Sequence, residues 1–173
     1  AKRLADIYGL RRLDTGALYR AVALALLDAG LDPADPVAAE AAARALNLDT
    51  IPEDRIRTAA VGAAASTVAA HPGVRQALLE AQRAFAAAPG GAILDGRDIA
   101  TVICPQAQVK LYVTADLAVR AERRHQELAA RGEHIDLARL TAQIAARDDA
   151  DANRPVAPLR QAPDAALLDT TSL

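Results

Sequence analysis

The sequence predicts an α/β fold, a parallel sheet covered by helices on both faces. Three observations predict it. Short apolar runs, candidates for strands, recur at residues 10–14, 92–94, 109–113 and 165–168. Longer Ala- and Leu-rich stretches of helical period alternate with them, the pattern of parallel sheets in layered α/β proteins. The sharpest polar clusters stand directly after the first two runs, where ligands bind in such folds, beyond the carboxyl ends of the strands.

The elements follow in order. Leu4, Ile7 and Tyr8 share one face of an opening helix, and Gly9 stops it. Leu10 to Asp14 reads as a strand. Gly16 to Ala29 is helical, with Leu18, Val22, Leu26 and Leu27 near a 3.6-residue period, and Gly30 ends it. A helix from Pro36 to Leu46 follows, then a patternless stretch from Asn47 to Arg57. Helices span Thr58 to Ala69 and Pro72 to Ala87, with Pro72 suited to a first turn. Pro89-Gly90-Gly91 turns the chain into the strand Ala92-Ile93-Leu94. Val109 to Val113 is the next strand. Asp116 caps a helix that runs to Ala130, and Gly132 breaks it. A helix from Asp136 to Asp151 and a strand from Ala165 to Leu168 complete the set.

Composition bounds the function. The chain has 173 residues, the size of one ordinary domain, and 20 basic against 22 acidic residues. That balance points neither to nucleic acid nor to a membrane surface. There is no apolar run of spanning length and no leader-like opening, so a soluble cytoplasmic protein is expected. Only Lys2 and Lys110 are lysines; the other basic residues are arginines, better suited to bidentate phosphate and carboxylate recognition. Cys104 is the one cysteine, and His71, His125 and His134 show no metal-ligand spacing, so no protein-held metal is expected. His71, before Pro72, reads as structural.

Chemistry concentrates in a few clusters. In Asp14-Thr15-Gly16-Ala17-Leu18-Tyr19-Arg20, Asp14 or Thr15 is placed to cap a helix, and Arg20 to turn back toward an anion. An exposed arginine on a capped helix reads the same way. Ile93-Leu94-Asp95-Gly96-Arg97-Asp98 resembles a Walker-B-type strand, whose acid sits near magnesium. Gly96 allows a close backbone approach, Arg97 a phosphate clamp, and Asp98 an acceptor for an exocyclic amine. An ordinary strand-to-helix turn is the alternative. Arg147, Asp151 and Arg154 fall on one helical face, as a nucleotide-covering surface or as a solvated ion-pair ladder. Arg120, Arg123 and Arg124 crowd another helix, for an anion or for Glu122 and Glu127 to neutralise. Ser66 and Arg75 flank the junction at His71.

Together these segments resemble the cytidylate kinase family. The resemblance runs over residues 1–173 and rests on Asp14 to Arg20, Ala63-Ala64-Ala65-Ser66, Pro72-Gly73-Val74-Arg75, Gln82-Arg83-Ala84-Phe85, Asp95 to Asp98, Arg147 to Arg154, Ala157-Pro158-Leu159 and Leu168-Asp169-Thr170-Thr171. It implies a three-layer α/β/α P-loop kinase fold with a parallel sheet in one kinase domain. The implied core lies near 1–32, 90–119 and 154–173, an NMP-binding subdomain near 33–89 and a helical lid near 120–153. It implies transfer of the γ-phosphoryl of ATP, with Mg2+, to CMP or dCMP. Arg20 and Arg97 are implied at the CMP phosphate, and Arg75 and Asp98 at the cytosine edge, with Thr15, Tyr19 and Arg154 close by. Ser66, Arg147 and Asp151 are implied near the ribose, and Arg123 and Arg124 in the lid over the ATP phosphates. Arg20, Arg97, Arg123, Arg124 and Arg147 carry the implied catalytic role.

The resemblance also places the family's phosphate loop, G-x-x-x-x-G-K-[ST], immediately before Ala1, and a helix after Leu173; neither is among residues 1–173. Three departures are local: a short segment at 47–57, Ala100 where the family has Gly, and Pro155 where it has Ala. Nucleotides are the expected partners of a monomer, with neither nucleic acid nor membrane. Two alternatives stand beside this: a kinase of UMP or AMP, and a nucleotide-binding module without catalysis.

Overall fold

A computed structural model of the chain describes residues 1–47 and 50–173. The chain forms two compact units, Ala1–Ile99 and Ala100–Leu173. Both are α/β, and in both the strand pairing is parallel, as the alternating pattern predicts.

The first unit runs α1 (Lys2–Tyr8), β1 (Arg11–Asp14), α2 (Thr15–Asp28), α3 (Pro36–Arg44), a short 3-10 turn (Arg55–Arg57), α4 (Ala59–Val68), α5 (Pro72–Ala87) and β2 (Ala92–Asp95). Gly9 ends α1 in the left-handed conformation, φ 63°, as a glycine stop does. α2 is the hub. Leu18, Val22 and Leu26, spaced by one turn, are completely buried and pack toward α3 and α4. Each such side chain contributes about 1.5–3 kcal/mol relative to an exposed one. Since the chain has only four Phe, Tyr or Trp side chains, Ala39, Ala43, Ala65 and the valines fill the space between these helices. α5 packs on α3 and β2. His71, just before α5, holds the Pro33 carbonyl oxygen at 2.9 Å from Nε2, the structural role expected of it.

β1 and β2 pair parallel with Asp14 opposite Asp95, so the two strands end together on carboxylates. The helix predicted to reach Leu46 stops at Arg44. Of the stretch 47–57, residues 48 and 49 lie outside the described residues; the rest holds the 3-10 turn with buried Ile56.

The second unit opens within a π-helical turn (Ile99–Ile103) and continues with β3 (Leu111–Thr114), α6 (Leu117–Ala129), α7 (Leu137–Asn153) and β4 (Ala166–Asp169). β3 and β4 pair parallel, Thr114 opposite Asp169, and α6 packs on α7. Asp136 caps α7 by accepting the Arg139 amide. Asp116 stands at the start of α6, but its side chain makes no cap; its own amide instead donates to Thr171 Oγ1 at 2.9 Å. Among the described residues no helix is long and apolar enough to cross a membrane.

Candidate active site

In the first unit the polar groups gather where β1 and β2 end. β1 alternates, so Arg12 and Asp14 lie on one face and Leu13 on the other, buried. Arg12 Nε donates to Asp95 Oδ2 at 3.1 Å, and its Nη2 lies 3.8 Å from Asp14 Oδ2. One guanidinium thus spans both carboxylates. It does not fully compensate them: partial burial and then the Asp14 charge raise the Asp95 pKa above the ordinary carboxylate value. Asp14 caps α2 through Oδ1 and the Ala17 amide, 3.2 Å away, settling the capping residue as Asp14 rather than Thr15. Thr15, 3% exposed, donates its hydroxyl to the Asp95 carbonyl oxygen at 2.9 Å. Gly96 follows, and a methyl group there would overlap the Thr15 hydroxyl. The glycine is required for that approach, as its position predicts.

Asp98 turns inward. It is 6% exposed and accepts from Arg75 Nη2 at 2.5 Å, and Arg75 is itself 9% exposed. The Arg75 guanidinium sits 5.8 Å from the Tyr19 ring centroid and donates to the Ala69 carbonyl oxygen, 3.4 Å away. α5 supplies Arg75 one turn after its Pro72 start, α2 supplies Tyr19, and the turn after β2 supplies Asp98. Arg20, one residue beyond Tyr19, donates to the Ile56 carbonyl oxygen at 3.2 Å, beside Gly62 of α4. Ser66 is exposed on α4, its hydroxyl 3.4 Å from the Gly62 carbonyl oxygen. Arg97 is exposed. Thr15, Tyr19, Arg75 and Asp98, distant in sequence, are thereby drawn toward the ends of one strand pair.

Two residues of this region, Arg12 and Gln82 of the Gln82-Arg83-Ala84-Phe85 landmark, receive no role from the sequence. Arg12 carries a readable signal, since it shares a strand face with Asp14. Gln82 does not: it is 1% exposed on α5, donates to the Leu78 carbonyl oxygen, and buries an amide oxygen that lacks a partner.

In the second unit the arginines of α6 are met individually. Arg120 donates to the Ala115 carbonyl oxygen at 2.8 Å and to Asp148 of α7 at 2.6 Å. Arg124 pairs with Glu127 at 2.7 Å. Arg123 reaches the Thr170 and Leu173 carbonyl oxygens at 2.6 and 2.9 Å and so holds the turn after β4. In that turn Asp169 accepts the Thr171 hydroxyl and amide, which lower its pKa. Glu127 is thus one of the neutralising acids expected, whereas Glu122 takes Gln126 instead.

Arg147, Asp151 and Arg154 are brought together, but not on one helix. α7 ends at Asn153, and Arg154 is extended, φ −62° and ψ 142°, because Pro155 disfavours the helical region for the residue before it. The helical face predicted for all three therefore holds only for Arg147 and Asp151, whose side chains lie 4.0 Å apart. Arg154 still reaches Asp151, at 3.5 Å, from beyond the helix end. Among the described residues no group of three or more His, Cys, Asp and Glu side chains is placed to hold a metal.

An arginine-rich set at the carboxyl ends of parallel strands, with a buried Arg–Asp pair beside a tyrosine, suits a small anionic ligand with a hydrogen-bonding edge. The family model described as cytidylate kinase matches residues 1–173. A cytidylate kinase of Methylobacterium sp. (strain 4-46) is 59% identical over 95% of this chain and 79% of its own length. Those of Rhodopseudomonas palustris (strain TIE-1) and Caulobacter sp. (strain K31) are 56% and 53% identical over the whole chain, which spans 82% and 80% of their lengths. With the motif order, the parallel strand ends and similarity over residues 1–173 all in accord, the chain belongs to the cytidylate kinase family.

Proposed function

We propose that this protein transfers the γ-phosphoryl group of ATP to CMP or dCMP, giving CDP or dCDP. The buried Arg75–Asp98 pair carries this reading. Cytosine presents an amino donor beside ring acceptors, and a carboxylate next to a guanidinium matches that edge. Uracil presents an oxygen where cytosine has the amine, and Asp98 repels it. Thr15, Tyr19 and Arg154 belong with the base in this reading. Arg20 and Arg97 take the CMP phosphate, while Ser66, Arg147 and Asp151 serve the ribose.

Arg123 and Arg124 act on the ATP phosphates together with the family's phosphate loop. The helical segment 120–153 is the lid and 33–89 the CMP-binding subdomain. The protein works in the cytoplasm as a monomer, and its partners are the nucleotides themselves. Chemistry of this kind asks little covalent work of the protein. Alignment of donor and acceptor phosphates, and cations where charge develops, supply the rate.

Magnesium fits the same reading. Asp95 and Asp14 leave a carboxylate pair that Arg12 only partly compensates, and Mg2+ is typically held by one or two carboxylates plus substrate phosphates. Asp95 would hold it, and the ion would neutralise charge on the ATP phosphates.

A coupled ADP-release assay of the full-length protein with CMP, dCMP, UMP and AMP tests the reading. CMP or dCMP is the expected preferred acceptor, and no preference overturns it. Asp98→Asn replaces half of the carboxylate's acceptor capacity by donors. It should shrink the CMP-over-UMP ratio of kcat/KM by ~5- to 150-fold, the worth of one good base-edge pair.

A further inference from the structure

We propose that Ala157 is a positioning residue for Arg154. Its backbone adopts φ 50°, the one positive φ of a non-glycine residue among the described residues. That region is unfavourable for an L-residue. Such a conformation persists only where its surroundings hold it, and it often marks a site where geometry matters.

What the conformation achieves is visible in the hydrogen bonds. It turns the Ala157 carbonyl oxygen onto Arg154 Nε, at 2.6 Å. The loop is pinned from its other end as well, because the Leu159 amide donates to the Asp151 carbonyl oxygen at 2.8 Å, in the last turn of α7. Asp151 Oδ1 stands 3.5 Å from Arg154 Nη1. Pro155 keeps Arg154 out of the helix and so aims its side chain back into this loop.

A guanidinium is a rigid plane. A fixed Nε on one edge and an acid at Nη1 set its orientation as well as its position. An arginine so oriented holds its guanidinium plane in one direction without first ordering a long, flexible side chain, which is what pre-organised recognition requires. The loop 154–159 is therefore a clamp whose spring is the left-handed alanine.

The inference rests on the reading that Arg154 contacts CMP, and the test separates the two. Steady-state kinetics on the full-length enzyme would compare Arg154→Ala, Ala157→Val, Ala157→Gly and Ala157→Asn. A β-branched valine does not take φ 50°, so A157V should raise the KM for CMP about tenfold or more, the scale of losses from small misplacements. The KM for ATP should not move. Glycine and asparagine tolerate the left-handed region and should restore tight CMP use at the same position. This ranking by backbone preference rather than by side-chain size is what loop packing alone would not give.

If A157V fails to fold, Ala157→Thr, β-branched like valine but polar, takes its place in the ranking. Equal KM values for valine or threonine and for glycine, in an enzyme where R154A does weaken CMP, overturn the positioning role alone. An unchanged KM for CMP in R154A overturns the reading of Arg154 and the clamp's purpose with it.

Discussion

The buried Arg75–Asp98 pair and the more exposed pairs of α6 treat arginine in opposite ways. In the first, Arg75 meets Asp98 with side-chain exposures of 9% and 7%. In the second, Arg124 and Glu127 are 30% and 42% exposed, and Arg120 and Asp148 36% and 37%. A buried pair is a fixed template: its charges have been removed from water, and either one left alone is costly. An exposed pair contributes little, and its arginine can exchange an acid for a phosphate at small cost. The first arrangement suits recognition of one base edge. The second suits arginines that exchange partners readily.

The sharpest way to break this contrast is Arg75→Ala. It leaves Asp98 charged and buried, and the expected loss is about 3–5 kcal/mol of unfolding free energy, measured by denaturant titration. A loss below about 1 kcal/mol would place this pair with the surface pairs and remove the distinction.

Asp95→Asn probes the partly compensated carboxylates between these extremes. The folded state raises the Asp95 pKa, so it binds the proton more tightly than the unfolded chain does. The stabilisation from protonation is present below the unfolded pKa and lost as pH rises through the folded one. At pH 7 the variant should therefore melt higher than the parent, and the difference should close as pH falls toward 4. A lower melting temperature at pH 7 would mean that Arg12 fully balances both acids.

Arg124→Ala gives the smallest expected effect. Stability should change by less than about 0.5–1 kcal/mol in the same titration. A larger change would show that α6 depends on this pair and that Arg124 is not free to exchange it for a ligand.

Much of this was readable in advance, for reasons that differ by element. α2, with its capping Asp14 and its buried Leu18, Val22 and Leu26, follows from local rules of period and capping. The strands are legible even where β4 is exposed, since short apolar runs after turns announce them. The π-turn at Ile99–Ile103 is not, because a five-residue turn with i→i+5 bonding leaves no periodic signature. The pairing of β1 with β2, and of β3 with β4, joins distant segments that no local pattern connects.

The residues of the candidate site divide likewise. The Asp95 to Asp98 turn declares itself through residue type and place. That Arg123 spends its donors on the Thr170 and Leu173 carbonyls depends on a contact across 47 and 50 positions. Arg154 leaving the helix was in principle readable, because Pro155 forbids the continuation that charge spacing suggests. The charge pattern of i, i+4, i+7 points to one helical face through Arg154, and the steric rule overrides it.

Gly96 and Thr15 share one pocket of space, since the hydroxyl of one occupies the volume a side chain on the other would need. They are therefore not independent positions for an engineer or for evolution. A residue larger than glycine at 96 needs position 15 shrunk to alanine or glycine, and Ile99, whose Cδ1 would lie 3.0 Å from the new carbon, must shift as well. That same shrinkage removes the bond tying the start of α2 to the end of β2, so the route between two viable sequences passes through a less well-tethered intermediate.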